Sequence, residues 1–521
     1  MSKLVTADYA ASLIKDGMSV GMGGFVGFGT PEEALIAIEK RYTETGEPKN
    51  LTVFHGAGIG DSATRGMNHM GYEGLIKRLI CAHVGLAPKL GKLCMENKVE
   101  CFILPQGVCS HILRATAGRK PGLITHVGLK TYADPRVEAC KGNEAARQSG
   151  HEVVQLIQVD GKDYLFYKSV PLDICFIRGT YADEAGNVSM VKEGLHGDQL
   201  EMAMATRNSG GIVVVQVEKM VQKGSLPVKD IKIPSFMVDY VIEAKPENHC
   251  QSFMGPDYRP ELTGEIYIPM DAIEPMPLNP RKICGRRGAM LLKKGAVVNL
   301  GIGVAEAIAA VAGEEGVSDQ ITLSIESGVL GGVPTGGLGI GGTVNPESIV
   351  KQPDTFDFYD GGGLDMAFLG LAEVDEKGNV NVSKFGGRMV GPGGFINITQ
   401  NAKVVGFCGT FTAGKMKCEI KDGKLNIIED APNIKFKKAV EQITYSGEYG
   451  VETGQTVYYI TERALFQLVP GGMKLLEIAP GVDLQKDILD KMEFTPIMDD
   501  EIKVMDEKIF TDALMHLSFE E

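Results

Sequence analysis

Hydrophobic positions along the chain fall into two alternating patterns. Short apolar runs rich in β-branched residues recur, such as Ile212-Val213-Val214-Val215-Gln216-Val217 and Val404-Val405-Gly406-Phe407-Cys408. They are continuous rather than alternating, so they predict strands buried on both faces. Between them lie helical patterns with end signals. One helix is predicted over 6–14, capped at its start and stopped by Gly17. Another is predicted over 31–40, with Thr30 as N-cap and Pro31 at the first helical position. Buried strands alternating with helices predict an α/β fold of open parallel sheets.

The same pattern is written twice. Leu13-Ile14-Lys15-Asp16-Gly17-Met18-Ser19-Val20 matches Leu291-Leu292-Lys293-Lys294-Gly295-Ala296-Val297-Val298. Leu51-Thr52-Val53 then matches Ile321-Thr322-Leu323. Asp173-Ile174-Cys175-Phe176 with Asp183-Glu184-Ala185-Gly186-Asn187-Val188 matches Asp365-Met366-Ala367-Phe368 with Asp375-Glu376-Lys377-Gly378-Asn379-Val380. Three matches in one order predict two tandem homologous domains. A segment with seven prolines separates them, which places one domain at 1–244, a connector at 245–282 and a second domain at 283–521.

Composition narrows the function classes. Lys plus Arg is 53 and Asp plus Glu is 67, for a formal charge of −14. That opposes a broad nucleic-acid or anionic-membrane surface and leaves room only for a local basic pocket. There are 66 glycines in 521 residues, nearly twice the usual share of about 7%. They imply many tight turns and places where a ligand approaches the backbone. The ten cysteines spell no CxxC pair, so they read as buried reduced thiols. With no signal-type N-terminus and no run of 18 apolar residues, the expectation is a cytoplasmic protein.

Common catalytic signatures are missing. No GxSxG or HExxH occurs, and the nine histidines do not cluster, so neither an esterase elbow nor a metal site is spelled. Gly409-Thr410-Phe411-Thr412-Ala413-Gly414-Lys415-Met416 lacks the final hydroxyl of a phosphate-binding loop and is expected to be a turn. What stands out is a difference between the halves. Aligning Leu51-Thr52 with Ile321-Thr322 sets Gly56 opposite Glu326. A carboxylate therefore sits just past a strand, where open α/β sheets place ligands. Spacing alone leaves two readings: a capping or solvated Glu, and a nucleophile or general base.

Six motifs occur in order: Gly23-Gly24-Phe25, Pro105-Gln106-Gly107, Gly301-Ile302-Gly303, Glu326-Ser327-Gly328, Phe358-Tyr359-Asp360-Gly361-Gly362-Gly363, and Gly391-Pro392-Gly393-Gly394-Phe395. Together they resemble a family I CoA-transferase with both subunit halves fused, most like the propionate and acetate CoA-transferases. The resemblance covers nearly the whole chain. It implies two tandem Rossmann-like domains with the active site between them, a homo-oligomer (dimer or tetramer), acyl-CoA and short-chain carboxylates as substrates, and no cofactor beyond CoA itself as substrate. It makes Glu326 the nucleophile and Gln106 and Gly394 the donors to the oxyanion. Gly24 and Phe25 would shape the acyl side. Gly301, Ile302, Gly303, Val304 and Ala305, with Gly391 and Gly393, would contact CoA. Lys384 and Arg388 are candidates for its phosphates, against a reading as solvated loop charges. The sequence departs from the propionate enzymes at His83-Val84, where they carry His-Trp, so acid preference is expected to differ. Two alternatives stay open: an acyl-CoA hydrolase on the same fold, and a non-catalytic ligand-sensing module.

Overall fold

The computed structural model describes residues 3–269, 275–301 and 303–519. The chain divides into two compact units. Unit 1 comprises Met1–Ile268, Glu326–Asp357 and Gly387–Asn397; unit 2 comprises Pro269–Ile325, Phe358–Gly386 and Ile398–Glu521. Two segments of the second half of the chain thus belong to unit 1. Residues 270–274 of the expected connector lie outside the described residues.

Unit 1 is built on eight strands: β1 (Leu4–Val5), β2 (Ser19–Met22), β3 (Leu51–His55), β4 (Ile76–Cys81), β5 (Glu100–Ile103), β6 (Ile174–Arg178), β7 (Ile212–Val217) and β8 (Tyr240–Glu243). They pair in the order β1-β8-β7-β6-β2-β3-β4-β5, and every pairing is parallel. The apolar run of β7 is buried at every position but its first, as a parallel sheet covered on both faces requires. Helix α1 (Glu32–Thr45) buries Ala34, Leu35, Ala37 and Ile38, an apolar stripe at helical spacing. It runs past the predicted end to Gly46, whose φ of 71° is the left-handed stop that glycine tolerates. The expected cap is corrected here: Pro31 occupies the cap position, and the Thr30 hydroxyl donates instead to the Val26 carbonyl, 3.3 Å away.

Unit 2 repeats the plan with β9 (Val297–Leu300), β10 (Thr322–Ser324), β11 (Met366–Gly370), β12 (Val404–Cys408), β13 (Thr456–Ile460), β14 (Ala464–Val469), β15 (Gly472–Ile478) and β16 (Lys503–Val504). Their order is β10-β9-β11-β12-β13-β14-β15-β16. The first five are parallel, and β14 turns back antiparallel on both neighbours. Gly409–Met416 leads into no helix, so the near phosphate-loop motif lacks the helix N-terminus that such a loop needs.

The repeat holds at the level of single hydrogen bonds. Val20 pairs with Val53 and Ile174 in unit 1; Val298 pairs with Leu323 and Met366 in unit 2. Asp173 Oδ2 accepts from the Ser19 amide at 2.8 Å, and Asp365 Oδ2 from the Val297 amide at 2.9 Å. Asp183 and Asp375 close identical turns, each accepting from the amides two and four residues on. The two domains are homologous and tandem, as the sequence repeat predicts.

Candidate active site

Helix α2 (Gln106–Ala117) starts directly after the chain leaves β5, with Pro105 as the residue before its first turn. It buries Val108, Cys109, Ile112 and Leu113, which fixes how its first residue is presented. Gln106 is 2% exposed. Its backbone amide donates to the Gly393 carbonyl at 3.0 Å, and its side-chain Nε2 donates to Gln352 Oε1 at 3.2 Å. The next amide, of Gly107, donates to Asn397 Oδ1 at 3.0 Å. A Cβ on Gly107 would lie 2.4 Å from Asn397 Nδ2 and 2.7 Å from the Phe356 ring, so only glycine admits these neighbours.

The loop Gly391-Pro392-Gly393-Gly394 is threaded along residues 82–85. Val84 donates to the Val390 carbonyl at 2.8 Å, and Gly393 donates to that of Ala82 at 3.1 Å. Gly391 has φ 89°, and a Cβ there would sit 2.5 Å from the Ala82 carbonyl oxygen. Gly394 is buried. The departure noted at His83-Val84 therefore borders this loop. Burial drives both His83 and its neighbour His55 down to about 4, so both rings are neutral at pH 7.

Glu326 follows β10 and is half-buried. Ser327 beside it is fully buried, and its hydroxyl donates to the Gly341 carbonyl at 2.7 Å. A Cβ on Gly341 would lie 2.6 Å from the Phe25 ring. Phe25 is 4% exposed, in an apolar cluster with Val26, Phe28, Ala57, Leu195 and Val329. Gly24, at φ 140°, leaves only 2.5 Å between a would-be Cβ and the Thr30 hydroxyl. Past Glu326, the Gly328 carbonyl accepts from the Val350 amide at 2.8 Å. Two residues later the chain reaches Gln352, the partner of Gln106.

Behind Gln106 lies a buried polar network. Gln352 Nε2 donates to Asp198 Oδ2 at 2.8 Å and to Ser110 Oγ at 2.9 Å. The Ser110 hydroxyl donates to the same Asp198 oxygen at 3.1 Å. Asp198 stands at the cap position of helix α3 (Gln199–Asn208), yet its side chain makes no cap bond. Burial, with Glu201 nearby, raises its carboxyl to about 7. Glu201 is itself buried and pairs with Lys351 at 2.8 Å.

Gly24, Phe25, Gln106, Glu326, Gly391, Gly393 and Gly394 all belong to unit 1. Gly301, Gly303, Val304 and Ala305 belong to unit 2, and Ile302 lies outside the described residues. In unit 2 the Gly301 amide donates to the Phe368 carbonyl at 2.7 Å. Gly303, at φ 88°, opens a short turn into helix α4 (Glu306–Glu314), and its carbonyl accepts from Arg281 at 2.6 Å. Lys384 lies 3.9 Å from Glu441, and Arg388 is exposed. Sequence reading missed Asp198, Ser110, Gln352 and Asn397. Asp198 leaves a trace in Gly56, whose Cβ would lie 2.6 Å from its Oδ2, and Asn397 one in Gly107.

An α/β repeat with a carboxylate past one strand defines a class, and comparison with known proteins names it. Residues 4–244 match the Coenzyme A transferase family model. Caffeate CoA-transferase of Acetobacterium woodii is 46% identical over 517 residues, covering 98% of each chain. Acetate CoA-transferase YdiF of Escherichia coli K12 is 42% identical over 515 residues, covering 98% of this chain and 96% of that one. The crystal structure of the acyl-CoA transferase YdiF of Escherichia coli O157:H7, a thioester complex with CoA, superposes with a TM-score of 0.94 at 41% identity, covering 100% of this chain and 98% of that one. The chain belongs to the coenzyme A transferase family and is a CoA-transferase. Among the described residues no helix is long and apolar enough to cross a membrane.

Proposed function

We propose that this enzyme moves CoA between a short-chain acyl-CoA and a free carboxylic acid by a ping-pong route through a glutamyl-CoA thioester on Glu326. The observation that carries the reading is the whole-chain likeness to a CoA-transferase crystallised as a thioester complex with CoA. The Glu326 carboxylate attacks the thioester carbonyl, and CoA leaves as thiolate. The product is a mixed acyl–glutamyl anhydride. The thiolate then attacks the glutamyl carbonyl, the acid departs, and CoA stays on Glu326. A second carboxylate reverses these steps. Covalent catalysis divides one difficult exchange into easier ones and keeps the thioester's energy from water.

Each attack builds negative charge on a carbonyl oxygen, which placed N–H donors stabilise. We assign Gln106 Nε2 and the Gly394 amide to that task. Gly301, Ile302, Gly303, Val304 and Ala305, with Gly391 and Gly393, are assigned to CoA, where binding energy far from the reacting carbon is spent at the thioester. Gly24 and Phe25 are assigned to the acyl side. No resident cofactor is needed. A cytoplasmic location is supported by ten free cysteines, nine of them buried. The homo-oligomer implied by the family resemblance is open to light scattering.

Initial rates at several acid concentrations test the route. Parallel double-reciprocal lines are expected, together with inactivation by borohydride only after incubation with acyl-CoA, through reduction of the thioester. Intersecting lines would overturn it. A second reading of the acid, caffeate, is favoured by the 46% identity to caffeate CoA-transferase. A panel running from acetate to caffeate decides between them by kcat/KM.

A further inference from the structure

A glutamine amide has one face that donates and one that accepts, with nearly the same shape. For an oxyanion donor the two are not equivalent: an oxygen placed where the nitrogen belongs would repel the developing charge. Something must therefore fix which end of Gln106 is nitrogen.

The fixed point of the network is Asp198. Its Oδ2 receives two bonds, from Gln352 Nε2 at 2.8 Å and from the Ser110 hydroxyl at 3.1 Å. An ionised carboxylate only accepts, and a neutral one with its proton on Oδ1 still accepts at Oδ2. In either of these states the group facing Oδ2 is the Gln352 nitrogen, as its 2.8 Å contact places it. Both Gln352 N–H bonds are spent, on Asp198 and on Ser110. This leaves Gln352 Oε1 facing Gln106, where it accepts from Nε2 at 3.2 Å. The polarity set at Asp198 passes through one amide to the next, and one N–H of Gln106 remains for another acceptor. All four side chains are buried, so water does not compete for these bonds.

We propose that Asp198 and Gln352 are positioning residues of the transferase, which set the orientation of the Gln106 amide so that its nitrogen serves the oxyanion. The proposal rests on the reading of Gln106 as that donor. The groups facing Asp198 are Glu201 on α3, Cys109, His111 and Arg114 on α2, and Lys351 through its bond to Glu201. Glu201 opposes its ionisation, while His111 and Arg114 favour it.

The test is a double-mutant cycle of Gln106→Ala and Gln352→Met, reading kcat and the KM for acyl-CoA. Gln106→Ala is expected to lower kcat by about 10²–10³-fold. Gln352→Met keeps the length of the side chain but none of its polarity. It is expected to lower kcat by roughly 10–10²-fold through misorientation and to leave KM nearly unchanged. The double variant should be no slower than Gln106→Ala alone, because a missing amide cannot be misoriented. Asp198→Leu, which removes the acceptor that fixes the Gln352 amide, should lower kcat in the same way and serves if Gln352→Met does not fold. Wild-type kcat in Gln352→Met or Asp198→Leu, or losses that multiply in the double variant, would overturn the positioning role while leaving Gln106 as donor. Normal turnover in Gln106→Ala would sink both readings.

Discussion

The two halves finish the same strand in opposite ways. In the first, β3 runs into Gly56, and the space its side chain would fill holds the carboxylate of Asp198, 2.6 Å from the would-be Cβ. In the second, β10 runs on to Glu326, whose carboxylate comes from the strand's own extension. Asp198 is buried, held by two donors on one oxygen, and pushed up to about 7. An acid so enclosed is an acceptor in a network and not a nucleophile. Glu326 is half-buried, open enough to meet a substrate. One repeat thus carries two carboxylates near equivalent strand ends with different duties, and burial sorts them.

The largest effect that would break this comparison is at Glu326. Glu326→Gln should fold as the wild type does and lose turnover by about 10⁴-fold or more, because an amide is a poor nucleophile. Substantial activity in that variant, with an unchanged melting curve, would leave the two carboxylates without the difference claimed for them. A smaller effect sharpens the other half. Gly56→Ala should cost about 1–3 kcal/mol in urea unfolding, because its methyl meets Asp198 in a packed interior. Asp198→Ala should absorb part of that loss, so the double variant should fall short of the sum. Strict additivity would show that the two side chains do not compete for the space.

A further effect is in pH. Burial raises Asp198 from its ordinary 3.8 to about 7, so folding favours the protonated form. Its contribution to stability is full below about pH 4 and is lost as pH rises through 7. Asp198→Asn should flatten the wild-type decline in urea midpoint between pH 4 and 7. Equal slopes in the two proteins would assign the decline to another group.

Much of this was legible in the chain. Continuous apolar runs fixed the strands as parallel and doubly covered. The repeat predicted two homologous domains, and the two sheets pair at equivalent residues, because side-chain burial sets register and a slip of one residue inverts every position. Glu326 was visible as a residue with no counterpart. The expected Thr30 cap failed because the helix begins one residue later, with Pro31 at the cap position, and the Thr30 hydroxyl is left to donate to the Val26 carbonyl.

The sequence by itself determined the α/β class, the duplication and the one carboxylate that breaks it, since these follow from periodicity and from comparing aligned positions. Only the tertiary structure decided that Asp198, Ser110, Gln352 and Gln106 form one network, and that segments 326–357 and 387–397 join the first unit. Residues 110, 198 and 352 lie far apart in the chain, and no local propensity marks them. A hydrogen bond needs atoms about 3 Å apart at a suitable angle, and for side chains so distant in sequence that condition is met only once the backbone has packed.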